Sequence, residues 1–177
     1  MLKLIKRLQE KFNIEEVQQQ KNNLTFVTLA AKDLVNFITY LKNIEDFTHL
    51  SFLTAVDRIE QDKFQLTYML HNHKTNYNLA VKAFIERANP VVESIHHLWQ
   101  QAATYQRELH EMFGIDFPGS PRLKEDFILE DWHDIPPMRR DFKTKEYSEK
   151  TYFPRPGRKT HDPEEYMKEK LYPEGDE

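Results

Sequence analysis

The stretch RELHEMFGIDF, Arg107 to Phe117, places Arg107, Glu108, His110 and Glu111 within five consecutive positions. An acid, a base and a second acid at this spacing would suit proton transfer or metal ligation. The helical zinc pattern, however, needs two histidines four residues apart on one face, and His110 stands alone. Arg107 and Glu111 are at i and i+4 and can pair across one turn of a solvated helix, for roughly a few tenths of a kcal/mol. An ion-paired helix face accounts for the four residues better than catalysis does.

Two further histidine groups carry possible chemistry. In His71-Asn72-His73 the alternation of a strand puts both imidazoles on one face, a spacing a metal site could use, but spacing reveals no third ligand. His96-His97 reads as helical, where neighbours diverge by about 100° and cannot readily share an ion. A metal-dependent enzyme built on His71, His73, His110 and nearby acids is the alternative class of function. Its mark would be stoichiometric metal on the isolated chain.

Other chemistries lack their residues. Glycine occurs only at 114, 119, 157 and 175, so no G-x-G-x-x-G or Walker loop can form. No G-x-S-x-G elbow surrounds Ser94, Ser120 or Ser148. The sequence has no cysteine, which excludes a disulfide framework, a thiol nucleophile and thiolate ligands for an iron–sulfur cluster or structural zinc. The net charge of −4, with 25 basic against 29 acidic residues, offers no basic field for nucleic acid. MLKLIKRLQEKFNIEEV alternates apolar and charged residues at helical spacing, unlike a signal peptide. No run of about 18 apolar residues occurs, so membrane association is expected only through a partner or a surface.

The elements that must position these residues follow from periodicity. Leu2, Leu4, Ile5, Leu8 and Phe12 make one face of an opening helix. Ile14 to Gln20 and Leu24 to Ala30 read as a hairpin around Lys-Asn-Asn. Asp33 is placed to cap a helix bearing Leu34, Phe37, Ile38 and Leu41. HLSFLTAVDR, KFQLTYMLHN and YNLAVKAFIE supply three more strands. Asn89-Pro90 and Gly114 bracket a predicted helix over residues 90–113, whose stripe comprises Ile95, Leu98, Trp99, Ala102, Leu109, Met112 and Phe113. Arg107, Glu108 and Glu111 point away from that stripe.

These elements predict an α+β fold: a mixed, mostly antiparallel sheet of about five strands flanked by helices, with an extended C-terminal arm. The expected divisions are a core domain at 1–117, an exit segment at 118–142 and a partner-binding tail at 143–177. The exit segment offers Trp132, Met138 and Phe142 beside Arg139 and Arg140, a mixture that suits a protein interface. The tail is poor in aliphatics but keeps aromatics such as Tyr152 and Phe153, which suit anchoring on a partner.

FLTAVDR (Phe52 to Arg58), QRELHEMFGIDF (Gln106 to Phe117) and LEDWHDIPPMRRDF (Leu129 to Phe142), in that order and spacing, resemble the 30 kDa subunit family of NADH:quinone oxidoreductase, respiratory complex I. The family pattern E-R-E-x-x-D/E-M-F-G-I-x-F, a G-H-P-like turn, E-D-W and P-L-R-K-D-Y is matched with Gln106 for the first acid and Gly119-Ser120-Pro121 for the turn. Leu-His-Glu-Met together with Pro-Pro-Met also resembles the equivalent subunits of membrane-bound nickel–iron hydrogenases and formate hydrogenlyases. On a continuous helix Gln106 projects near the apolar stripe, where a buried amide needs partners but costs less to desolvate than a carboxylate.

The resemblance implies a non-catalytic peripheral-arm subunit of a complex I-type enzyme that couples electron transfer to ion translocation, holding together a large 49 kDa-type quinone-site protein and a small iron–sulfur protein. It implies no catalytic, metal or cofactor-binding residue in this chain. Iron–sulfur clusters, flavin or a nickel–iron centre would belong to partner subunits. The expected location is the cytoplasmic side of the cell membrane, peripheral, held by those partners. The expected interface comprises Arg107, Glu108, Glu111, Trp132, Met138, Arg139, Arg140, Phe142, Tyr152 and Phe153.

Overall fold

The structure, a computed structural model, describes residues 2–151. Contacts divide the chain into two compact units, Met1–Phe142 and Lys143–Glu177. The described part of the second is one helix, α4 (Thr144–Thr151), which buries no residue.

The first unit runs α1 (Leu2–Lys11), β1 (Ile14–Lys21), β2 (Leu24–Leu29), α2 (Leu34–Asn43), β3 (His49–Arg58), β4 (Lys63–Asn72), β5 (Tyr77–Glu86) and α3 (Ala102–Phe113). The five strands form one sheet in the order β1-β2-β5-β4-β3. β2 and β5 are parallel and the other neighbours antiparallel. The α+β class follows directly: hairpins join sequential antiparallel neighbours, while α2 carries the chain to the far edge so that β5 can return beside β2.

Alternation along each strand divides the sheet into two faces. One face carries Val27, Leu29, Leu53, Leu66, Tyr68, Leu70 and Val81, and packs into a core with Leu4, Ile5 and Leu8 of α1 and Leu34, Phe37, Ile38 and Leu41 of α2. Burial of Tyr68, which is 0% exposed, pushes its phenol pKa above the ordinary value. Asp33 precedes α2 as expected, but its side chain makes no capping hydrogen bond.

The edge strand β3 is covered by side chains rather than by another strand. Trp99 Nε1–H donates to Thr48 O at 2.7 Å, Gln101 Nε2 to Leu50 O, and the Tyr105 hydroxyl to Ser51 O at 3.1 Å. These donors occupy carbonyls that would otherwise invite a further strand.

The predicted helix over 90–113 forms only from Ala102 to Phe113. Residues 90–94 run extended instead and pair with the chain just after α3: Asp116 N donates to Pro90 O at 2.8 Å and Val92 N to Asp116 O at 3.0 Å. β-Branched Val91 and Val92 favour this extended pairing over a helix. Ile95 is still fully buried, and Leu98 and Trp99 pack against the core, although they reach it from turns. His96 and His97 consequently sit in a turn, with ring centroids 6.3 Å apart.

Candidate partner interface

Asp57 ends the inward-facing series Leu53, Ala55, Asp57, so a carboxylate only 1% exposed lies at the rim of the core. A buried charge needs a partner, and Arg87, just past β5, supplies it. Arg87 Nε–H donates to Asp57 Oδ1 at 3.0 Å and Nη2–H to Oδ2 at 3.2 Å. The same Nη2 lies 2.6 Å from Asp141 Oδ1, while the Arg140 backbone N–H donates to Asp57 Oδ2 at 2.9 Å. Hydrogen bonds to Asp141 and Asp57 raise the guanidinium pKa, and Arg87 in turn holds Asp141 below the usual carboxylate range. One cation thus ties residues 140–141 to the ends of β3 and β5.

The neighbouring residues complete a clamp. Arg139 Nε–H donates to Phe113 O at 2.7 Å, with its guanidinium 5.2 Å from the Phe64 ring centroid. Burial, followed by the charge of Arg87, lowers its pKa. Met138 N–H donates to Met112 O at 3.0 Å. Arg140 pairs with Glu60 and lowers the Glu60 pKa through that hydrogen bond. Gly114 ends α3 at φ 74°, and a Cβ there would stand 3.0 Å from Arg139 Nη2 and 3.3 Å from Pro136 Cγ. Glycine therefore serves both the left-handed cap and the close approach of the clamp.

Arg107 and Glu111 do not pair with each other. The loop after residue 121 crosses their face of α3, and each meets it separately. The Glu111 carboxylate accepts Phe127 N–H at 2.6 Å and Ile128 N–H at 2.9 Å. The Arg107 guanidinium lies 5.2 Å from the Phe127 ring centroid and 3.8 Å from Glu125 Oε2. Glu108 is half-buried. His110 Nδ1–H donates to Ile115 O at 3.0 Å; because a carbonyl can only accept, this fixes the proton on Nδ1. Leu109 and Phe113 point into the core, as their helical phase requires.

Gln106 is completely buried and accepts a 2.7 Å hydrogen bond from Ser94 Oγ, while its Nε2 has no hydrogen-bond partner. His71 and His73 share one side, with centroids 4.6 Å apart, and His49, opposite His71 in the β3–β4 pairing, joins them at 5.4 Å from His73 and 6.5 Å from His71. Among the described residues, no group of three His, Cys, Asp or Glu side chains is set to hold a metal ion.

Along the exit segment the Trp132 ring lies 5.5 Å from that of Phe142, and its indole N–H is shared between Asp134 O and Ile135 O at 3.0 and 3.1 Å. Met138 is 57% exposed, Ile128 66% and Ile135 43%. Tyr152 and Phe153 lie outside the described residues. The structure thus gives Arg107, Glu111, Arg139 and Arg140 intramolecular partners and leaves Ile128, Ile135 and Met138 of the exit segment exposed. Sequence reasoning missed Asp57, Arg87 and Asp141, although an aspartate in phase with inward-facing Leu53 and Ala55 marks a carboxylate in need of a cation.

The family model for the respiratory-chain NADH dehydrogenase, 30 Kd subunit, matches residues 27–148, from β2 through the whole clamp. The chain belongs to that family. The corresponding NADH-quinone oxidoreductase subunit from Moorella thermoacetica is 32% identical over 139 residues, covering 78% of this chain and 93% of that one. Its counterpart from Legionella pneumophila (strain Lens) is 31% identical over 144 residues, covering 77% of this chain and 59% of its own length. The chain spans only 54–59% of the Legionella relatives it matches. The 30 Kd fold also recurs in a chain of the membrane-bound sulfane sulfur reductase, an archaeal respiratory membrane complex. That chain has a TM-score of 0.82 at 24% identity, covering 92% of this chain and 96% of that one. Among the described residues of this family member, no helix is long and apolar enough to cross a membrane.

Proposed function

We propose that the chain is a non-catalytic, peripheral-arm subunit of a complex I-type NADH:quinone oxidoreductase. The observation that carries this reading is the match of the 30 Kd subunit family over residues 27–148, a range that includes both ends of the Asp57–Arg87–Asp141 clamp. Electron transfer between cofactors held by different subunits depends on fixed spacing. A chain that uses its charged residues to hold its own exit segment rigid is suited to fixing its neighbours.

On this reading the neighbours are the large 49 kDa-type and small iron–sulfur proteins. Exposed Ile128, Ile135 and Met138 of the exit segment, with Trp132 and Phe142, supply apolar contact to them, and Tyr152 and Phe153 of the tail are further aromatic anchors for a partner. Arg107, Glu108, Glu111, Arg139 and Arg140 would supply the polar rim of that contact. Redox cofactors reside in the partners, and the chain sits peripherally on the cytoplasmic side of the membrane, coupling indirectly to ion translocation. The quinone-linked enzyme is favoured over the nickel–iron hydrogenase equivalent because the relatives that match this chain bear the NADH-quinone oxidoreductase name.

The test is affinity isolation of the tagged full chain from solubilised membranes. Co-isolation of the two partner proteins with NADH:quinone reductase activity is expected. Recovery with nickel–iron hydrogenase proteins would favour the alternative, and recovery alone would overturn both.

A further inference from the structure

The histidines at the end of β4 take no part in the clamp or in the exit segment, yet the chain around them is tightly held. Asn72, only 5% exposed, organises the turn that follows it. Its Nδ2–H donates to Glu45 O at 2.8 Å, and its Oδ1 accepts the Lys74 and Thr75 N–H groups at 2.9 and 3.0 Å. The Lys74 ammonium is engaged by the neighbouring Asp46 at 2.8 Å. Strand alternation turns His71 away from Asn72, and His73 shares the side of His71 with ring centroids 4.6 Å apart. A fixed turn therefore presents His73 to His71.

Two features suit this pair to a divalent transition ion. Two imidazoles bound to one ion through nitrogens at about 2.0–2.1 Å have ring centres roughly 5 Å apart, the spacing seen here. His71 Nδ1–H donates to Asn78 Oδ1 at 2.9 Å, and since an amide oxygen only accepts, the Nε2 lone pair is the free ligand atom. A ligating histidine ordinarily has its second nitrogen held in this way, which fixes both tautomer and ring orientation. His73 is exposed, and neither of its ring nitrogens has a hydrogen-bond partner among the described residues.

His49 faces the pair from β3, but its ring centre is 6.5 Å from that of His71, beyond the spacing for two rings on one ion. This agrees with the absence of a three-ligand group among the described residues. Two protein ligands leave the remaining positions to water. Imidazole favours Zn²⁺, Ni²⁺ and Cu²⁺ over Mg²⁺ and Ca²⁺, which prefer oxygen. Without an ion, the two rings rest edge to face at 79°.

We propose that His71 and His73 form a binding site for a borderline divalent ion, Zn²⁺, Ni²⁺ or Cu²⁺, completed by water, with Asn78 as the positioning residue of His71. The bound ion ties the turn at 73–76 to the end of β4. The inference stands apart from the reading of the chain as a subunit. It leaves out His110, which lies on α3 with its Nδ1–H bonded to Ile115 O.

The test uses the full chain, purified without a polyhistidine tag and stripped of metal by a chelator. Calorimetric titration with Zn²⁺ is expected to show saturable binding, and titration with Mg²⁺ none. His71→Asn and His73→Asn are each expected to weaken Zn²⁺ binding by at least about tenfold, and Asn78→Ala, which frees the second nitrogen of His71, by about tenfold. His110→Asn is expected to leave it unchanged. In the unaltered chain, Ni²⁺ is expected to broaden the amide NMR signals of His71 and His73 before those of α3, a reading that depends on no variant folding. Absence of Zn²⁺ binding, full affinity in either the His71 or the His73 variant, weakening by His110→Asn, or broadening centred elsewhere would overturn the site.

Discussion

Asp57 and Arg87, 30 residues apart in the chain, form a two-point ion pair in which the carboxylate is 1% and the guanidinium side chain 14% exposed. The pair is poorly solvated, and through Asp141 and the Arg140 amide it is also the anchor for the end of the exit segment. Its energetics therefore decide how firmly that segment is presented.

Removing one partner leaves a buried charge without compensation. Arg87→Met should destabilise the chain by about 3 kcal/mol, read from urea denaturation, because the buried Asp57 carboxylate then lacks its counter-ion, whereas Arg87 without Asp57 would keep Asp141. Replacing both groups, Asp57→Leu with Arg87→Met, should cost less than the single change, since no charge is then stranded. A double variant at least as unstable as Arg87→Met would show that the pair contributes more than mutual neutralisation.

The clamp also sets a response to acid. Asp141 and Glu60 both have folded pKa values lowered by arginine hydrogen bonds, from Arg87 and Arg140 respectively. A lowered folded pKa gives stability that is fully present above the ordinary carboxylate value of about 4 and is lost as pH falls through the folded value. The melting temperature of the wild-type chain should therefore exceed that of Asp141→Asn at pH 7, with the gap closing as pH falls below the ordinary carboxylate range and through the lowered folded value. A gap independent of pH would remove the electrostatic part of the account.

Gly114→Ala meets two obstacles: the left-handed φ of 74° and the approach of Arg139 Nη2 at 3.0 Å. The backbone strain alone amounts to about 1–2 kcal/mol. Displacement of Arg139 should additionally raise amide exchange at Met138 and Arg139, whose N–H groups bond to Met112 O and Pro136 O. Unchanged exchange there would show that the arginine is not held by this approach.

Glu111→Ala removes the acceptor for two loop amides. Hydrogen exchange at Phe127 and Ile128 should rise while the core strands stay protected, because the loop joins the core only through Leu123, away from these amides in sequence. Equal acceleration across β4 and β5 would contradict this local role.

The strands were legible because β-branched and aromatic residues fill them and polar turns separate them: HLSFLTAVDR, KFQLTYMLHN and YNLAVKAFIE coincide with β3, β4 and β5. The start of α3 was not, since Val91 and Val92 find extended partners around Asp116, whose position depends on the fold. The RELHEMFGIDF charges were visible, but not their partners. Arg107 and Glu111 meet the crossing loop instead of each other, a long-range choice that i,i+4 spacing cannot reveal. Asp57 carried a local signal in its inward phase, whereas Arg87 and Asp141 become its neighbours only through the sheet and the returning exit segment.

The central claim, that this chain is a structural subunit of an NADH:quinone oxidoreductase, is tested most directly by mass spectrometry of the intact assembly isolated through the tagged chain. The account predicts a multisubunit assembly containing one copy of this chain with the large 49 kDa-type and small iron–sulfur proteins. The chain recovered alone, with no membrane-associated assembly, would contradict it.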